Sequence, residues 1–231
     1  MRLEFESIGA PMTQSPTFLD KWHWYFLMQH YAAPTRLLDW TVNPLVALYF
    51  AVCDESDRDG AVWIVDPWRW NRAHVKYLFG PAVAGWRETK KYLLDLEDAF
   101  DTGEAENQTT EKWPVAIEPP HIDRRIAAQG SKFMLFGTKK DMTRSPAVNR
   151  PRGVKGKHAI LDKIIVKRSK ASKLREELNE MGINGKAMFP GLEGLGKHIA
   201  WEWESRIGAR TVTKRIRVSR STGRSSPTSK V

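Results

Sequence analysis

The chain has 231 residues, 41% of them apolar and including ten Trp and nine Phe, which excludes global disorder and supplies a core for one domain with an appendage, or two small domains. A lone cysteine, Cys53, cannot close an internal disulfide, and no stretch approaches the roughly 18 apolar residues that span a bilayer. With no secretory apolar run near Met1, the expectation is a cytoplasmic protein in a reducing compartment with no membrane contact. The net charge of +10 is local: residues 206–231 hold eight Lys/Arg and no acid, and without them 29 basic residues face 27 acidic ones. A body near neutrality argues against nucleic acid as the main partner, while the tail is either a solvated end or a nonspecific phosphate-contacting segment.

In chain order, residues 1–14 read as a lead. Ser15-Pro16 has the form of a helix cap followed by proline at the first helical position, and predicts a helix to about Gln29, apolar nearly all round and therefore buried. Pro34 ends it, with Ala33 pushed to extended geometry, and residues 35–40 read as a tight connection or short strand. Asn43-Pro44 repeats the cap signature and opens a second buried helix to about Asp54. Residues 61–66, AVWIVD, are the clearest strand. Residues 67–85 read as irregular, 88–100 as an amphipathic helix and 101–112 as a polar loop. Strands are expected at 115–117, 132–136 and 160–166, and short helices at 121–129, ended by Gly130, and 169–181, ended by Gly182. Residues 138–157 read as a basic loop, 186–189 as extended and 191–205 as a last helix. From residue 206 the chain reads as a disordered basic tail. The expected fold is α+β: one domain over residues 15–205, with a small mixed or antiparallel sheet flanked by helices.

Residues 29–51, QHYAAPTRLLDWTVNPLVALYFA, place His30, Tyr31, Thr35, Arg36, Asp39, Trp40, Thr41 and Asn43 in one connection between two buried helices. Such a connection is a platform for a site, because its polar groups must be satisfied and are held by rigid neighbours. Arg36 and Asp39 are placed to pair across the turn. The plainer alternative is that these groups only satisfy one another and cap the following helix, and composition alone favours it.

The pattern Q-H-Y-x-x-P-T-R-L-L-D-W-T-x-N-P-L-V-A-L-Y-F-A resembles the signature of the FRG domain family, with Ala33 near a position where many members carry Gly. Asp59-Gly60-Ala61-Val62-Trp63 resembles the following strand. Arg124-Arg125-Ile126-Ala127-Ala128-Gln129 with Phe133 resembles a later element, and residues 161–166, 182–183 and 189–195 resemble the closing section. About residues 22–203 are covered. The layout resembles that of ADP-ribosyltransferases, which implies NAD as co-substrate and no metal, in a bacterial or phage-associated effector that modifies a protein or nucleic-acid target. On that comparison Tyr31 and Thr35 line the nicotinamide side and Gln129 orients the nucleophile or steadies positive charge at the ribose, with Glu118 second in line. Arg36, Asp39 and Arg124 are the cofactor-binding candidates.

One departure bears on activity. The aromatic-Arg-Gly triplet after which the family is named does not occur among the residues before Gln29, where the sole arginine is Arg2. A bidentate arginine on phosphate is hard to replace. The expectations are therefore an enzyme in which Arg36 or Arg124 takes over that contact, or an inactive binding or regulatory module, truncated or read from a late start. A third is a nucleic-acid-binding accessory protein acting through residues 206–231.

Other candidates carry less. Cys53 falls at a helix C-terminus, where partial negative charge disfavours a thiolate. The six histidines show no zinc spacing. Gly191-x-x-Gly194-x-Gly196 lacks the strand and lysine of a phosphate loop and reads as close packing.

Overall fold

The computed structural model describes residues 1–13, 21–53, 57–75, 78–83, 89, 113–119, 124–148 and 159–221, with backbone alone for 208–221. The Ser15-Pro16 cap, almost all of the helix expected at 88–100, the loop at 101–112 and residues 222–231 lie outside them. The described elements are α1 (Arg2–Gly9), α2 (Lys21–His30), β1 (Leu37–Thr41), α3 (Pro44–Val52), β2 (Gly60–Val65), α4 (Pro67–His74), β3 (Ala82–Val83), β4 (Val115–Glu118), α5 (Arg124–Gln129), β5 (Ser131–Leu135), β6 (Leu161–Val166), α6 (Arg168–Glu180), α7 (Gly185–Met188) and α8 (Leu192–Ser221).

They build the expected α+β domain with two small sheets. The first has strand order β1-β5-β4-β3, antiparallel except for the parallel β3–β4 pair. The second is the antiparallel pair β2–β6, with Gly60 opposite Val166 and Val65 opposite Leu161. Strand alternation divides the core. Leu37, Val115, Ile117, Phe133 and Leu135 face Trp22, Tyr25, Phe26 and Met28 of α2. On the other face Ala116, Met134 and Trp40 pack with Trp70, Met142 and Leu161. A third cluster joins Val46, Tyr49 and Val52 of α3 to Val166, Ala171, Leu178 and Met188.

Local chemistry explains the element ends. Asn43 caps α3 by accepting from Leu45 N at 2.9 Å, as its Asn-Pro signature predicts. Asp66-Pro67 uses the same device: Asp66 accepts from Arg69 N at 3.0 Å and starts α4 inside the stretch expected to be irregular. Asn71 of α4, fully buried, substitutes for a strand neighbour. Its amide accepts from Ala116 N and donates to Ala116 O and Gly80 O, all within 2.9 Å. Gly60 is required by close approach, because a Cβ there would lie 2.2 Å from the Ala51 carbonyl oxygen.

Four further expectations are corrected. The lead contains α1, whose Phe5 packs edge-on against Trp24. Residues 186–189 are not extended but largely the short helix α7, because Asn184 caps it by accepting from Ala187 N. The last helix runs past Ser205 to Ser221. In α3, Leu45 and Phe50 are exposed rather than buried, because one face of the helix borders open space.

Candidate functional site in the cleft between the sheets

The signature segment resolves into a hydrogen-bond lattice. Thr35 donates its hydroxyl to Gln29 Oε1, and Gln29 Nε2 donates to Asp39 Oδ2 at 2.8 Å. The Thr35 hydroxyl also accepts from Leu37 N at 3.1 Å, and Arg36 N donates to the Tyr25 hydroxyl at 2.7 Å. The partner of Asp39 is therefore Gln29, and the expected Arg36–Asp39 pair does not form. Thr41 donates to the Gln129 carbonyl at 2.6 Å and accepts from Asn43 N at 3.0 Å. These bonds fix the path of β1 and tie its end to the last residue of α5.

Beside β1 lies a cavity of about 550 Å³, within the range of small-molecule sites. Leu38, Asp39, Trp40 and Thr41 of β1 line one side, and Ala61, Val62, Trp63 and Leu161 of the second sheet line the other. Val46, Ala47 and Phe50 of α3 close one end, while Arg125, Gln129, Phe136, Lys140, Asp141, Met142 and Thr143 complete the wall. The surface is mainly apolar and aromatic, with a few polar groups at defined places. Trp40 Nε1 is shut off from solvent and has no hydrogen-bond partner among the described residues.

Gln129 is 7% exposed. Its Nε2 donates to the Met188 carbonyl at 2.9 Å, and because a carbonyl only accepts, the amide orientation is set by chemistry. Its Oε1 then has no protein partner among the described residues. Arg125 sits one turn earlier on the same face of α5, donating to the His30 carbonyl at 3.3 Å with its guanidinium 4.8 Å from the Phe189 ring centroid. Asp141 accepts from the Thr143 hydroxyl at 2.6 Å, and that bond holds its carboxyl below the usual carboxylate range.

Of the residues singled out from sequence, Asp39 and Gln129 line the cavity; Tyr31, Thr35, Arg36 and Arg124 do not. Tyr31 is 69% exposed with its ring edge-on to His30, and Arg36 and Arg124 are exposed. Glu118 pairs with Lys132. Sequence reasoning missed Arg125, although its i, i+4 spacing from Gln129 marks the shared helix face. It also missed Trp63 and the 140–143 segment, which only the tertiary fold brings together with Trp40 and Thr41 of the signature segment. Among the described residues no group of three His, Cys, Asp or Glu forms a metal-binding cluster, and no helix is long and apolar enough to cross a membrane.

Comparison with known families places these features in context. The model of the FRG domain matches residues 4–60, which take in most of α1, all of α2, β1 and α3, and the first residue of β2. No curated protein and no solved structure matches the chain.

Proposed function

This chain carries an FRG domain, and we propose that it binds NAD in the cleft between its two sheets and transfers ADP-ribose to a cellular target. The observation that carries the reading is Gln129: a buried residue of the cavity wall whose amide is oriented by Met188 and whose Oε1 is uncommitted among the described residues. Such an oxygen is suited to accept a hydrogen bond from a ribose hydroxyl or an approaching nucleophile. Trp40, Trp63 and Phe50 offer flat apolar surface for the nicotinamide and adenine rings, and Arg125 and Lys140 offer positive charge for the pyrophosphate. In the reaction the bond between ribose C1′ and the nicotinamide nitrogen breaks, with its electron pair leaving on nicotinamide. The acceptor nucleophile bonds to C1′ and releases its proton to solvent, and the uncommitted oxygen of Gln129 faces the charge that develops at the ribose.

Arg125 takes the phosphate-gripping role in this reading, rather than the Arg36 or Arg124 favoured by sequence. Arg2 pairs with Glu6 at 3.1 Å on α1. A second reading, a binding module without chemistry, draws on that assignment, because a guanidinium already engaged with the His30 carbonyl has fewer donors left for phosphate. Release of nicotinamide from NAD separates the two. The transferase reading expects release by the wild-type chain and its loss in Arg125→Ala and Gln129→Ala. NAD binding without release supports the module, and the absence of both overturns the NAD reading.

A further inference from the structure

Tyr49 of α3 borders a second, smaller cavity of about 180 Å³, lined also by residues of α6, α7 and α8. Four of its polar side chains, Arg175, Asn184, Tyr49 and Lys197, are donors. Arg175 can only donate, and its guanidinium stacks 4.6 Å from the Trp201 ring centroid with no carboxylate partner among the described residues. Asn184, 6% exposed, spends its Oδ1 on Ala187 N, which leaves the Nδ2 hydrogens uncommitted. Tyr49, also buried, makes no hydrogen bond through its hydroxyl among the described residues. Burial and the Cys53 thiol beside it push its phenol up, although Arg175 acts in the opposite direction, so it remains a protonated donor at neutral pH. Lys197 adds a second cation, engaged only by the exposed Glu193 at 2.6 Å, a pair of small energetic worth. The acid nearest the site's histidine, Glu202, stands 3.4 Å from His198 Nε2 and occupies that ring nitrogen.

The uncommitted groups of Arg175, Asn184 and Tyr49 are therefore donors, and Arg175 is a positive charge without a carboxylate partner among the described residues, with the ammonium of Lys197 also in the wall. A ligand that satisfies this wall must be anionic and rich in acceptors, with several oxygens around one centre. We propose that the cavity between α3, α6, α7 and α8 is a binding site for a phosphate group, held by Arg175, Lys197, Asn184 and Tyr49. Gly185 lines the cavity, and a Cβ there would stand at ordinary contact distance, 3.4 Å from the Tyr49 hydroxyl oxygen and 3.5 Å from His198 Cβ, taking up part of the space. Gly185 is not in the left-handed region, so alanine fits its backbone and the added methyl intrudes on the site.

The probe is inorganic phosphate, titrated into the full chain by calorimetry and thermal shift, with chloride at matched ionic strength as control. The site predicts saturable phosphate binding and stabilisation beyond chloride. Arg175→Gln weakens it by roughly tenfold or more, and Tyr49→Phe, which removes only the hydroxyl, by about three- to tenfold. Gly185→Ala weakens binding while leaving the chloride melting point within a few degrees. Ribose 5-phosphate distinguishes the source of the group: tighter binding than inorganic phosphate points to the phosphoryl group of a larger molecule, and the reverse order to the free anion. Stabilisation no greater than in chloride, or wild-type affinity in both Arg175→Gln and Tyr49→Phe, overturns the proposal. NAD retention in the cleft is a separate matter, expected to respond to Arg125→Ala and not to Arg175→Gln.

Discussion

The amide of Gln129 donates to the Met188 carbonyl, 59 residues on in the chain, at 2.9 Å, and this bond joins two short helices, α5 and α7. It orients a buried side chain with one oxygen left over. Gln129→Leu keeps much of the volume and leaves Met188 O without its donor, which costs about 1–3 kcal/mol. Gln129→Glu places a carboxylate oxygen against that carbonyl, so the loss is greater at neutral pH than near pH 5, where protonation restores a donor. Thermal melts of both variants at the two pH values check this, and a Gln129→Glu protein as stable as wild type at neutral pH contradicts it.

Ala32 ends α2 at φ +58°, in the left-handed region that disfavours a residue with a Cβ. The next amide, Ala33 N, donates back to the Met28 carbonyl at 2.8 Å, so the geometry is that of a helix stop at which glycine is preferred. Ala32→Gly is expected to raise stability by about 1 kcal/mol, because relief of the strain outweighs the added freedom of the unfolded chain. Ala33→Gly, one residue on and without positive φ, should destabilise or leave stability unchanged. Urea denaturation of the two variants separates them.

His74 stacks on Trp70 with ring centroids 4.2 Å apart and bridges two oxygens. Its Nδ1 hydrogen goes to the Trp70 carbonyl at 2.7 Å, so Nε2 accepts from the Ser145 hydroxyl at 2.6 Å and the ring is neutral. Burial lowers its pKa below the ordinary histidine value, against a raising influence from the bond to Trp70. The unfolded chain therefore binds the proton more readily than the folded one. Stability rises with pH in the window between the lowered folded pKa and about 6.5, and falls as pH drops through it. Melting points from pH 7.5 to 5.0 should decline more steeply for wild type than for His74→Gln, and parallel slopes contradict the assignment.

Much of the scaffold was legible because local chemistry announces it. Asn43-Pro44 started α3, the apolar run at 61–66 marked β2 to within a residue, and Gly130 and Gly182 ended their helices at positive φ. The site was less legible. Thr35 and Asp39 read as site residues in the sequence, yet both hydrogen-bond to the Gln29 side chain, and these bonds fix β1, which presents Trp40 to the cavity. The cavity wall combines positions near 40, 62, 125 and 141, which no local pattern links. α1 escaped notice because none of its residues is buried, and α7 because four residues are too few to show helical periodicity.

The measurement that bears most directly on the central claim is calorimetric titration of NAD into the wild-type chain and into Arg125→Ala and Trp40→Ala, each first shown to be folded. Occupation of the cleft predicts one saturable site in the wild type, weakened about tenfold or more when the guanidinium is removed, and weakened also when the Trp40 wall is cut back. No heat of binding at millimolar NAD, or equal affinity in all three proteins, contradicts it.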